Sequence, residues 1–90
     1  MAPEERDLRG VVSYQARIPV ERDGEIYLIE VSLPDWEEDR VILRGLASRY
    51  GVGTVGEVMS EVEGRGEGRV VRVEAGEREG RVFSADAPLG

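Results

Sequence analysis

The stretch Ile18-Pro-Val-Glu-Arg-Asp-Gly-Glu-Ile-Tyr-Leu-Ile-Glu-Val31 places Asp23-Gly24 between two runs in which apolar and polar residues alternate. An Asp-Gly pair favours a type I′ turn, because both central residues must take positive φ and the turn's twist then matches that of the strands it joins. With Asp23 and Gly24 as a two-residue loop, Arg22 faces Glu25. Pairing outward from there sets Val20 by Tyr27, Ile18 by Ile29, Ala16 by Val31 and Tyr14 by Leu33 on one face. On the other face Arg17 meets Glu30, an opposite-charge cross-strand pair, beside Gln15 with Ser32. A slip of one residue would turn the whole apolar set to water. Residues 11–33 are therefore predicted to form an antiparallel hairpin with one core face.

Ninety residues bound a single small domain with a modest core. The reading places a frayed polar arm at residues 1–9 and one α+β domain at 10–87. Without cysteine there is neither a disulfide nor a thiolate metal site. No apolar run approaches eighteen residues and no basic-then-apolar leader is present, so a cytoplasmic protein with no membrane partner is expected. All twelve basic residues are arginine, and asparagine is missing as well as lysine. Those two share adenine-rich codons, so their absence reads as genomic bias before function. The net charge of −7 says more: such a chain repels phosphate backbones unless its arginines cluster on one face.

Beyond the hairpin, Leu33-Pro-Asp-Trp-Glu-Glu38 reads as a helix start, with Asp35 as N-cap and Glu38 as its capping-box partner. Trp36, Leu43, Leu46, Ala47 and Tyr50 share one helical face, and Gly51 closes the helix. Gly45 in its interior marks close packing or a hinge. Thr54-Val-Gly-Glu57 is a second capping box; Val55, Val58, Met59 and Val62 follow at i, i+3, i+4 and i+7 until Gly64 stops the run. A strand over 57–63 competes, since Val58, Ser60 and Val62 also alternate. Arg69 to Ala75 and Arg81 to Ala85 are predicted to form a second hairpin around the loop Gly76-Glu-Arg-Glu-Gly80. The order is ββααββ: two antiparallel hairpins packed on two short helices.

The residues available for chemistry are few. Without histidine, cysteine or lysine, the usual general base, the thiol nucleophile and ordinary transition-metal ligands are missing. Paired carboxylates remain, in Asp35, Glu37, Glu38 and Asp39 or in Glu74, Glu77 and Glu79; the first set is more simply a helix N-terminus and the second a solvated turn. Gly64, Gly66 and Gly68 are spaced like part of a phosphate-cradling loop, but they follow a helix where such loops open one. No catalytic residue, metal or cofactor is expected.

Two partial resemblances stand out. Leu46-Ala-Ser-Arg-Tyr-Gly-Val-Gly-Thr-Val-Gly-Glu-Val-Met59 resembles a helix-turn-helix, and the hairpin after it sits where the wing of a winged-helix regulator would be, over residues 41–85. The helix at 55–63, in the recognition position, carries three glutamates and no arginine. DNA contact under this resemblance would therefore fall to Arg65, Arg69, Arg72, Arg78 and Arg81, which interleave with Glu63, Glu67, Glu74, Glu77 and Glu79. Tyr14 to Asp35, with Tyr-x-Ala, a glycine turn, an aromatic strand and Leu-Pro, is similar to the leading hairpin of HicB-type antitoxins. That resemblance implies a small acidic inhibitor of a basic partner. By subtraction, the leading expectation is a non-enzymatic protein-interaction module that forms a homodimer, with nucleic acid and small-molecule substrates disfavoured. Pro19, Ile26 and Leu28 on the hairpin's outer face are the interface candidates, exposed if only the other face packs on the helices.

Overall fold

Strands β1 (Tyr14–Arg22) and β2 (Glu25–Leu33) pair antiparallel in the predicted register, from Arg22 opposite Glu25 to Tyr14 opposite Leu33. Asp23 at φ 55° and Gly24 at φ 81° give the type I′ turn its two positive φ angles. The computed structural model describes residues 14–33, 37–74 and 81–90. The predicted arm 1–9, the opening of the hairpin at 11–13, Asp35, Trp36 and the loop 76–80 lie outside the described residues.

Helix α1 (Asp39–Tyr50) begins later than expected. Glu38 is its N-cap rather than a capping-box partner, and it makes no side-chain cap bond; Asp39 supplies the first-turn acid. The local acids offer several equivalent starts, and the apolar stripe alone sets the phase. Ile42, Leu43, Leu46, Ala47 and Tyr50 are buried along that stripe, and Gly51 caps the end as expected. Gly45 has open space around it, so no close approach explains it.

Helix α2 (Val55–Arg65) carries the predicted capping box: the Glu57 N–H donates to Thr54 Oγ1 at 3.3 Å and the Thr54 N–H to Glu57 Oε1 at 3.1 Å. Val55, Val58, Met59 and Val62 are all buried, so the helical period wins over the alternating one. Gly64 does not stop the run; α2 passes through it to a cap at Gly66.

The last two strands correct the second hairpin. β3 (Gly68–Val73) pairs antiparallel with β2, and β4 (Phe83–Ser84) pairs parallel with β1, giving the sheet order β3-β2-β1-β4. The two strands expected to pair with each other lie on opposite edges. Each gains more by joining the first hairpin, which offers Leu28 and Ile29 opposite Val71 and Val70 and Val20 opposite Phe83. The α+β class and the order ββααββ hold, with one hairpin among the described residues and a mixed sheet.

Both helices lie on the face carrying Ile18, Val20, Ile29 and Val31, which join the helix stripes in one core. Gly68 brings β3 close: a Cβ there would stand 2.6 Å from Val31 Cγ1 and 2.9 Å from Val62 Cγ1, and would also run into the Glu30 carbonyl oxygen. At the C-terminal ends of the helices, Tyr50 Oη donates to Glu67 Oε1 at 2.7 Å and Arg49 donates to Glu67 Oε2 at 3.2 Å. The Arg65 guanidinium lies 4.7 Å from the centre of the Tyr50 ring. Burial, then the bond to Glu67, pushes the Tyr50 phenol up to about 12.

Candidate functional site

The face of the sheet away from the helices is built in rows by the register. Gln15 stands by Ser32; Arg17 by Glu30 and Arg69; Pro19 by Leu28 and Val71; Glu21 by Ile26 and Val73. The structure thus brings Pro19, Ile26 and Leu28 together as expected, but not as exposed residues. Ile26 is 7% and Leu28 4% exposed, and Pro19 is buried. The expected exposure of these three residues is therefore not found. Val71 and Val73 of β3 flank them half-buried.

The charged row is a three-strand ion cluster. Arg17 Nε donates to Glu30 Oε2 at 3.1 Å and Arg69 Nε to Glu30 Oε1 at 2.5 Å, with Glu30 only 7% exposed. The Arg69 hydrogen bond, helped by Arg17, holds the Glu30 carboxyl below the usual glutamate range against the opposing effect of burial. Arg17 with Glu30 was legible in the hairpin register. Arg69 as the second partner was not, because nothing local in the sequence says that β3 lies against β2.

Two of the other arginines considered for nucleic acid, Arg65 and Arg72, are also committed. Arg72 Nε donates to Glu25 Oε1 on the neighbouring strand, and Arg65 Nε to Glu61 Oε1 at 2.7 Å one helical turn away. Arg78 lies outside the described residues, and Arg81 is exposed. For Arg65, Arg69 and Arg72 the ion-pair partners are Glu61, Glu30 and Glu25, the last two on another strand. The wing itself does not form, since β3 and β4 are separated by β2 and β1.

The start of α2 is closed by the chain's own C-terminal residues. The Val55 N–H donates to the Ala87 carbonyl at 3.1 Å and the Gly56 N–H to the Ala85 carbonyl at 2.8 Å. The Leu89 N–H donates to the Gly53 carbonyl at 2.7 Å, and Thr54 forms an antiparallel bridge with Pro88. With Glu57 N–H on Thr54 and Val58 N–H on the Thr54 carbonyl, all four leading donors of the helix are satisfied internally. The end of α2 that a helix-turn-helix would direct at DNA is therefore occupied. An open cleft of about 450 Å³ lies beside it, lined by Arg22, Asp23, Thr54, Glu57, Glu61 and Asp86 among others. Glu57 is held below its usual range by the Gly53 N–H and the Thr54 hydroxyl and N–H, which makes it a structural acceptor. Glu37 and Glu38 are exposed at the start of α1, while Glu77 and Glu79 lie outside the described residues. Among the described residues no group of three or more carboxylates is placed to hold a metal ion, and no helix is long and apolar enough to cross a membrane.

The outer edge of β3 is the surface with the clearest capacity to bind. In a two-residue hairpin the pair flanking the turn is hydrogen-bonded, so Glu25, Tyr27, Ile29 and Val31 direct their backbone groups at β1. Ile26, Leu28 and Glu30 then bond toward β3, through their partners Val73, Val71 and Arg69. The Val70 and Arg72 N–H and C=O groups consequently point away from the sheet, and among the described residues no strand pairs with them. No proline interrupts this six-residue strand, and β4 at the opposite edge is only two residues long. No family model matches the chain, and comparison with curated proteins and with solved structures gave no significant match.

Proposed function

We propose that this chain is a small non-enzymatic protein-interaction module that associates with itself. The observation that carries the reading is the outer edge of β3, whose outward backbone groups have no partner among the described residues. Such an edge is a template for pairing with another chain. The absence of histidine, cysteine and lysine supports a binding role over a catalytic one. The commitment of Arg65, Arg69 and Arg72 to carboxylates within the chain weighs against nucleic acid as the partner. Sedimentation equilibrium at micromolar and higher concentration tests it. The expected result is twice the 9.9 kDa chain mass; a monomer mass at every concentration overturns the reading.

A further inference from the structure

We infer that β3 pairs antiparallel with β3 of a second copy about a two-fold axis through Val71, joining the two sheets edge to edge. The inference rests on the self-association reading above and adds the surface and the register. A two-fold axis perpendicular to the sheet keeps the helix-covered faces on the same side only if a residue meets itself or one an even number of positions away. With Val71 on the axis, Val70 of one copy stands opposite Arg72 of the other, and Arg69 opposite Val73. Each outward-pointing backbone pair then meets another outward-pointing pair. A two-fold through Arg72 would set like charges face to face. One through Val70 also aligns outward groups and lies as near the centre of the strand, but it sets Gly68, which has no side chain to contribute, opposite Arg72.

Electrostatics favour a second copy at this place. The chain carries a net charge of −7, so two copies repel over most of their surfaces. β3 contains no acid, and its two arginines are neutralised within their own copy by Glu30 and Glu25. The edge is thus nearly neutral on an acidic molecule. The register also continues the apolar row Pro19–Leu28–Val71 across the axis into its mate.

The chain has no cysteine of its own, so single cysteines report the register directly. In this arrangement Val71 opposite Val71 is a non-hydrogen-bonded pair with Cα atoms about 4.5 Å apart, within disulfide reach. Val71→Cys should oxidise to a covalent dimer, whereas Val70→Cys and Val73→Cys should remain mostly uncrosslinked, since neither meets its own mate. Equal crosslinking of all three, or crosslinking through Val70 alone, overturns the register. In the unsubstituted chain the Val70 and Arg72 amides should exchange hydrogen more slowly as concentration rises into the range where the dimer forms. A dimer by sedimentation in which those two amides gain no protection overturns the β3 surface while leaving self-association standing; a monomer throughout overturns both.

Discussion

Ile29 and Gln15 measure the face assignment residue by residue. Ile29 is fully buried in the core, whereas Gln15 is exposed and accepts one long bond from the Ser32 hydroxyl at 3.4 Å. Ile29→Ala should cost roughly 2 to 4 kcal/mol through lost burial and the cavity left behind, and Gln15→Ala about 0.5 or less. Gly24→Val, at a positive φ that a β-branched residue resists, should cost more than ~1 kcal/mol. Urea unfolding of the three variants checks the order, and a Gln15→Ala loss equal to that of Ile29→Ala would reverse the face assignment. Glu30 adds a pH dependence whose sign follows from its depressed carboxyl. The unfolded chain binds this proton more readily than the folded one, so the stability it contributes is present above the ordinary glutamate value. It is lost as pH falls through the lower folded value. Unfolding from pH 7 down to pH 3 should show Glu30→Gln less stable at neutral pH, with the gap to the unsubstituted chain closing in acid. Salt should narrow it too, because Arg17 and Arg69 are largely exposed.

Among the elements, α2 is the one whose ends depend on distant chain. Its capping box is local, and Thr54→Ala should cost about 1 kcal/mol. Removing residues 83–90 takes away the Ala85 and Ala87 carbonyls that accept from Val55 and Gly56, along with buried Ala85. At about 0.5 to 1.5 kcal/mol for each hydrogen bond, and more for any buried donor left unsatisfied, the truncation should cost clearly more than Thr54→Ala. Circular dichroism and urea unfolding of both variants decide it; equal losses would mean that water replaces the C-terminal carbonyls at no net expense. The helix was legible in the sequence because its signals lie within eleven residues of one another. Its C-terminal cover was not, since Ala85 read as the end of a second hairpin and Ala87 and Leu89 carried no signal of their own, until β4 seats them beside β1.

For the whole molecule, net charge sets how association responds to salt. Two copies each carrying −7 repel, and that repulsion is screened over about 10 Å at 0.1 M ionic strength. Self-association should therefore tighten as sodium chloride rises from ~10 to ~150 mM, measured as the monomer–dimer constant by sedimentation. Binding to duplex DNA through arginines would show the opposite slope, weakening steeply as salt rises. A complex with DNA that forms at low salt and falls apart at moderate salt would overturn the protein-interaction reading in favour of the winged-helix one.

The sequence by itself determined every feature whose cause is short-ranged. The Asp23-Gly24 turn dictated a register that holds over all nine pairs of the hairpin. The Thr54–Glu57 box and the valine stripe dictated α2. Tertiary structure alone decided which strands become neighbours. A short valine-rich strand carries a preference for extended backbone but no address, so Gly68–Val73 and Phe83–Ser84 went to the two edges of the first hairpin instead of to each other. That choice also converted Arg69 and Arg72 from free cations into partners of Glu30 and Glu25, and left the far edge of β3 without a pairing strand among the described residues. Its physical reason is that apolar contact and ladder hydrogen bonding depend on position in space, which sequence distance does not encode.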